Sequence, residues 1–190
     1  MKSKSKSIKY ILLTLIIISG TLITISMTWQ SDPISMLLKQ TNDPNLKEKI
    51  IIFKKGGYQK SLNYEKHDVE AIINAAKDFI GTPHQMGGLT KKGIDCSGLV
   101  MIAHQENEIS LPHDGNEQAR FGKIMLSVED LKRGDLVFFH STYTTDKLVT
   151  HSGIYLGDNQ FIHVSSKKGA SVADITGKYW AEHFLFGTRF

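Results

Sequence analysis

The chain has 190 residues, 41% hydrophobic and 22% charged, which is the balance of a globular protein and fits one domain with added segments. Its formal charge of +4 is local. Lys2, Lys4, Lys6 and Lys9 precede the first acidic residue, Asp32, and without those four the 23 basic residues fall to 19, the acidic count. The remainder is neutral, so a nucleic-acid-binding face is not indicated.

Tyr10 to Trp29 is an uncharged, proline-free run of twenty residues. As a helix it would measure about 30 Å, the thickness of a bilayer's hydrocarbon core. Four lysines before it and Trp29 at its far end place the N-terminus in the cytoplasm and the rest outside. Residues 1–30 are therefore expected to be a membrane anchor, with residues 10–29 in the cytoplasmic membrane. A cleaved signal segment is the alternative. No alanine occurs before Ala71, so cleavage would have to use small residues such as Thr24 and Ser26. Either way the remainder is exported.

Residues 31–66 read as a spacer. Pro33, Asn42, Asp43, Pro44 and many lysines surround one apolar run, Ile50 to Phe53, expected to be a strand or helix packed on the main domain. The domain itself is placed at residues 67–190. Val69, Ile72, Ile73, Ala76 and Ile80 fall at helical spacing behind the N-cap Asp68, and Gly81 with Pro83 ends that helix. A glycine-rich loop leads to Asp95, and Cys96 to about Glu106 reads as a buried helix. A short helix is expected around Asn116 to Phe121. Strands follow at Asp135 to Phe139, His151 to Leu156, Gln160 to Val164 and Ala170 to Ile175, with another at Phe184 to Phe190. Helices followed by an antiparallel sheet make the domain α+β.

Cys96 is the sole cysteine, which excludes an internal disulfide and a Cys-rich zinc site. A lone thiol is ordinarily a small buried hydrophobe, and Asp95 could simply cap a core helix. At a helix N-terminus, however, free N–H groups favour a thiolate, the reactive form, and can also bind an oxyanion. Such a nucleophile needs a base. Across a three-residue hairpin loop, Gly157-Asp158-Asn159, Gly153 would oppose His163 and His151 would oppose Ser165. His151, Gly153, Tyr155, Phe161 and His163 then share one face, and the two histidines are diagonal neighbours. A two-residue loop would shift the register and separate them. A metal site of Cys96, His151 and His163 is a further alternative, without any usual ligand spacing.

Several ordered segments together resemble the NlpC-type cell-wall peptidases, a bacterial branch of the papain-like cysteine hydrolases. They are Ile80-Gly81-Thr82-Pro83, Gly87-Gly88, Gly93-Ile94-Asp95-Cys96-Ser97-Gly98-Leu99-Val100, Leu111-Pro112-His113, Gln118-Ala119, Gly134-Asp135-Leu136-Val137-Phe138-Phe139, and His151 to Asp158 with Phe161-Ile162-His163. The resemblance implies a papain-like core, with the nucleophile at a helix N-terminus packed on an antiparallel sheet. It implies a triad of Cys96 as nucleophile, His151 as base and then acid, and His163 as orienter. The implied reaction is hydrolysis of peptide bonds in peptidoglycan stem peptides, with no metal or organic cofactor. Asp95 and Ser97 match positions on the substrate side. His84 stands where the family commonly has tyrosine, on the substrate or oxyanion side, and Ser152 stands where valine is usual. An amidase or thiol acyltransferase on the same fold, and an inactive wall-binding protein, are the other readings.

Overall fold

Two Asp-Pro steps open the first helices of the computed structural model, which describes residues 32–65 and 67–190. Helix α1 (Pro33–Gln40) begins behind Asp32 and helix α2 (Pro44–Lys55) behind Asp43. Each aspartate accepts an N–H from the first turn, that of Ile34 at 3.3 Å and that of Asn45 at 2.9 Å. Each proline occupies the first turn, where its missing donor is not needed. Ile34, Leu46, Ile50 and Phe53 lie in the same core as Ile72, Leu99, Phe138 and Phe186. The Arg120 guanidinium stacks 4.5 Å from the Phe53 ring and donates to the carbonyls of Phe53 and Gly57 at 2.8 and 2.7 Å. The stretch read as a spacer is thus filled by two helices that share the domain's core. The expected membrane segment, residues 10–29, lies outside the described residues. Among the described residues, no helix is long and apolar enough to cross a membrane.

Helix α3 (Val69–Lys77) starts where its cap predicts, with Asp68 accepting the Ala71 N–H at 3.1 Å. The glycine-rich loop carries a minimal hairpin, β1 (Leu89–Thr90) and β2 (Gly93–Ile94), and leads into helix α4 (Cys96–Gln105). A short helix, α5 (Gly115–Gln118), precedes the strands. These are β3 (Lys123–Met125), β4 (Leu136–Phe139), β5 (His151–Gly157), β6 (Gln160–Ser165), β7 (Gly169–Asp174) and β8 (Phe184–Arg189), with helix α6 (Lys178–His183) before the last. They form one antiparallel sheet in the order β3-β8-β4-β5-β6-β7.

Alternation along the strands gives the sheet two apolar faces. Leu136, Phe138, Ile154, Ile162 and Val164 pack with Ile72, Leu99 and Val100 from α3 and α4. Val137, Phe139, Tyr155 and Phe161 form a second cluster, covered in part by Trp180 of α6. The β5–β6 turn differs from expectation in its detail. It is a two-residue turn, Asp158-Asn159, with φ of 50° and 60° as a primed hairpin turn requires. The register nevertheless keeps Gly153 opposite His163, because an irregularity between Tyr155 and Gly157 takes up the extra residue. Pairing begins at Gly153↔His163, so the expected partnership of His151 with Ser165 does not form and the strands fork there.

Candidate active site

The Asp95 carboxylate organises the start of α4. It accepts the Gly98 N–H at 2.7 Å, the Gly87 N–H at 2.7 Å and the Ser97 hydroxyl at 2.9 Å, and lies 3.0 Å from His113 Nε2. Burial alone would raise its pKa, but these donors outweigh it and hold Asp95 below the ordinary carboxylate value. The glycine-rich loop can reach the helix because Gly98 has no side chain: a Cβ there would sit 2.6 Å from the Gly88 carbonyl. Gln118 of α5, fully buried, donates from Nε2 to the Ser97 and Pro112 carbonyls, both at 2.8 Å. The first turn of α4 is therefore held from three sides.

Cys96 is the first residue of that helix, half-buried in a cleft of about 790 Å³. Burial pushes its thiol pKa up and the Asp95 carboxylate adds to this, while donors from Ser152 and Ser97 offset only part. The sequence suggested the opposite, a thiolate stabilised by the helix N-terminus. Burial is the main reason, and the Asp95 cap adds a negative charge beside the sulfur, while the helix-start N–H of Ser97 acts in the expected direction but more weakly. These effects together favour the thiol over the thiolate.

His151 and His163 line the same cleft as Cys96. His151 Nε2 and His163 Nδ1 are 2.9 Å apart in a single hydrogen bond. Gly153 allows this, since a Cβ there would lie 2.5 Å from the Ile162 carbonyl and 3.3 Å from His163 Cβ. Trp180 stacks on His151 with ring centroids 5.0 Å apart and presents a perpendicular contact to His163 at 4.8 Å. Burial lowers the pKa of His151 to about 3, assisted by the neighbouring His163 and His84. Burial likewise lowers His163 to about 4, with Lys168 contributing. Both imidazoles are therefore neutral at physiological pH.

His84 lies on the cleft wall, paired through its backbone with Ile94, close enough for its charge to act on His151. Asp95 and Ser97 border the cleft too, but their side chains are engaged with each other and with the helix start. From the sequence, His113 has no assigned role and Trp180 is not singled out; Tyr143 and the Lys147–Asp114 ion pair also border the cleft. His113 stood in a recognisable block, whereas nothing in the spacing of Trp180 ties it to the histidines. Among the described residues, no group of three or more His, Cys, Asp or Glu side chains is arranged to hold a metal ion.

The sequence profile of the NlpC/P60 family matches residues 81–189. The chain belongs to the NlpC/P60 family. Its α+β fold, a cysteine-bearing helix packed on an antiparallel sheet, is the papain-like architecture of that family. A Haemophilus influenzae protein named probable endopeptidase NlpC homolog is 36% identical over 63% of this chain and 62% of its own length. An Escherichia coli protein, murein DD-endopeptidase MepS/murein LD-carboxypeptidase, is 38% identical over 60% of this chain and 58% of its own. The chain thus spans about three fifths of these relatives. A solved NLP/P60-family structure from Staphylococcus aureus, described as similar to lipoprotein, superposes with a TM-score of 0.58 at 35% identity, over 66% of this chain and 43% of that one.

Proposed function

We propose that this NlpC/P60 protein is a cysteine endopeptidase that hydrolyses peptide bonds in peptidoglycan stem peptides. One observation carries the reading: the only cysteine heads a helix in a cleft that it shares with a hydrogen-bonded pair of neutral histidines. The names of the relatives direct it to the cell wall.

Cys96 is the nucleophile and His151 the base. If His151 Nε2 carries the proton and donates it to His163 Nδ1, His151 Nδ1 is left with a lone pair for the thiol. Because the thiol starts protonated, its proton passes to His151 as sulfur attacks the carbonyl carbon. His151 returns that proton to the leaving amine, and then activates the water that releases the acyl group. His163 and Trp180 hold the imidazole in place. His84 and the N–H groups at the start of α4 are the donors available to the developing oxyanion. The uncharged run at residues 10–29, preceded by four lysines, supports an extracytoplasmic enzyme tethered to the cytoplasmic membrane.

The test is digestion of purified peptidoglycan by the full chain, with fragments read by mass spectrometry. New stem-peptide termini should appear and should fall at least about 10³-fold in Cys96→Ala. Intact stem peptides freed from sugar would replace the endopeptidase by an amidase. Undiminished cleavage by Cys96→Ala would remove Cys96 from the chemistry, and absence of products across several wall types would sink the reading.

A further inference from the structure

Ten large apolar side chains are exposed among the described residues, and four of them, Met86, Tyr143, Val172 and Tyr179, line the cleft that holds Cys96. Exposed apolar surface gathered around one cleft marks a binding site. Of the four, Tyr143 sits on a loop whose attachments explain its position. That loop, residues 140–150, leaves β4 through Ser141, whose φ of 54° is a left-handed conformation that costs a serine some strain. The next residue is clasped: the Thr142 N–H and hydroxyl both donate to Thr150 Oγ1, at 2.9 and 2.8 Å. Thr150 is buried, and its N–H donates to the Phe139 carbonyl at 2.9 Å. Farther along, Lys147 pairs with Asp114 and the Val149 N–H donates to Asn116 Oδ1 at 3.2 Å, which ties the loop to α5. Tyr143 stands between these two attachments, 52% exposed.

Among the described residues the Tyr143 hydroxyl has no hydrogen-bond partner, and the carboxylates on the same cleft wall are already engaged. Asp95 accepts from Gly87, Ser97 and Gly98 and faces His113. Asp114 accepts the N–H groups of Asn116 and Glu117 and the Lys147 ammonium. Burial raises the phenol pKa, and negative charge at Cys96, Asp114 and Asp95 adds to this against Lys147, so Tyr143 keeps its proton and remains a donor. A donor in the cleft with no protein acceptor left to it is available to a ligand. We propose that Tyr143 is a substrate-contacting residue: its hydroxyl donates to a backbone carbonyl of the peptide bound in front of Cys96, and its ring covers that peptide. This rests on the reading of the cleft as a peptidase site. It adds a binding contact from the loop before β5, a part of the cleft that neither the nucleophile nor the histidines occupy.

Binding can be read apart from chemistry by titrating the full-length Cys96→Ala chain with a purified soluble stem-peptide fragment of peptidoglycan in a calorimeter. Adding Tyr143→Phe, which keeps the ring and removes the donor, should weaken binding about three- to tenfold, the usual worth of one such bond. Tyr143→Ala should weaken it further, because the ring is lost as well. In the active chain Tyr143→Phe should raise KM by the same factor and leave kcat within about twofold. Cys96 is the sole thiol, so its alkylation by iodoacetamide against pH shows whether the hydroxyl serves the sulfur instead. That profile should be the same in Tyr143→Phe and wild type. A displaced profile, wild-type affinity after Tyr143→Phe, or no binding to Cys96→Ala would each overturn the proposal. Failure of the peptidase reading is a separate result: the wild-type chain releases no stem-peptide fragments from the wall, whatever Tyr143→Phe does to binding.

Discussion

Two pairs of histidines, each with one fully buried and one half-buried member, differ in what surrounds them. His151 and His163 are bonded to each other, stacked on Trp180, and line the cleft that holds Cys96. His67 and His104 both pack against the Phe190 ring, with centroids 6.1 and 5.6 Å from it. There His104 Nδ1 bonds the Val100 carbonyl at 2.8 Å, and the Nε2 atoms of both histidines have no partner. Burial depresses His104 to about 4, as it does His163. A shifted pKa therefore does not separate the pairs. What separates them is access: one pair has a thiol and open cleft in front of it, the other an aromatic ring. Perturbed titration marks burial first and function only when a reacting group stands nearby.

The largest expected effect breaks this comparison at its active end. His151→Ala should slow peptidoglycan cleavage by about 10²- to 10⁴-fold, the usual worth of a positioned base, and His163→Ala by about ten- to a hundredfold. His104→Leu should stay within about threefold of wild type, since it touches neither thiol nor cleft. Parallel losses at His104 and His151 in the same fragment assay would mean that the core pair shapes the site after all.

The second expectation concerns what the two pairs share. His104, His151 and His163 have folded pKa values below 6.5, so the unfolded chain takes up protons that the folded one refuses. Above pH 6.5 all three are neutral in both states and cost nothing. As pH falls from 6.5 toward the folded values, stability is lost, by about 1 kcal/mol per histidine over the first unit. Thermal melts between pH 7 and 5 should show this decline. His104→Leu should flatten it in part, since His67 and His140 are depressed as well, while leaving wall cleavage intact, which no cleft histidine can do. A melting temperature independent of pH over that range would contradict the neutral, buried state of these groups.

Much of the site was legible in the chain because it depends on local geometry. Asp95 as cap, Cys96 as first helical residue and the shared face of His151 and His163 all follow from capping chemistry and strand alternation. The hairpin turn itself was read one residue too long, and the irregularity beside Leu156 compensated for it. Pro33, Asp43 and Pro44 read as parts of a spacer, although aspartate followed by proline also starts a helix, as Asp32-Pro33 and Asp43-Pro44 do here. Long-range partners left no periodic trace. Trp180 reaches the histidines from α6, and His113 reaches Asp95 across eighteen residues. The thiol's raised pKa was not legible because burial, its main cause, is a property of the packed fold and not of the local sequence.

The claim that the cleft pair serves Cys96 and the core pair does not is tested most directly at the sulfur. The alkylation rate of Cys96 can be followed against pH in wild type, His104→Leu and His151→Ala. Superimposable profiles are expected for wild type and His104→Leu, with His151→Ala about tenfold slower at neutral pH because the thiol has lost its proton acceptor. A His151→Ala profile that overlays wild type would contradict the account.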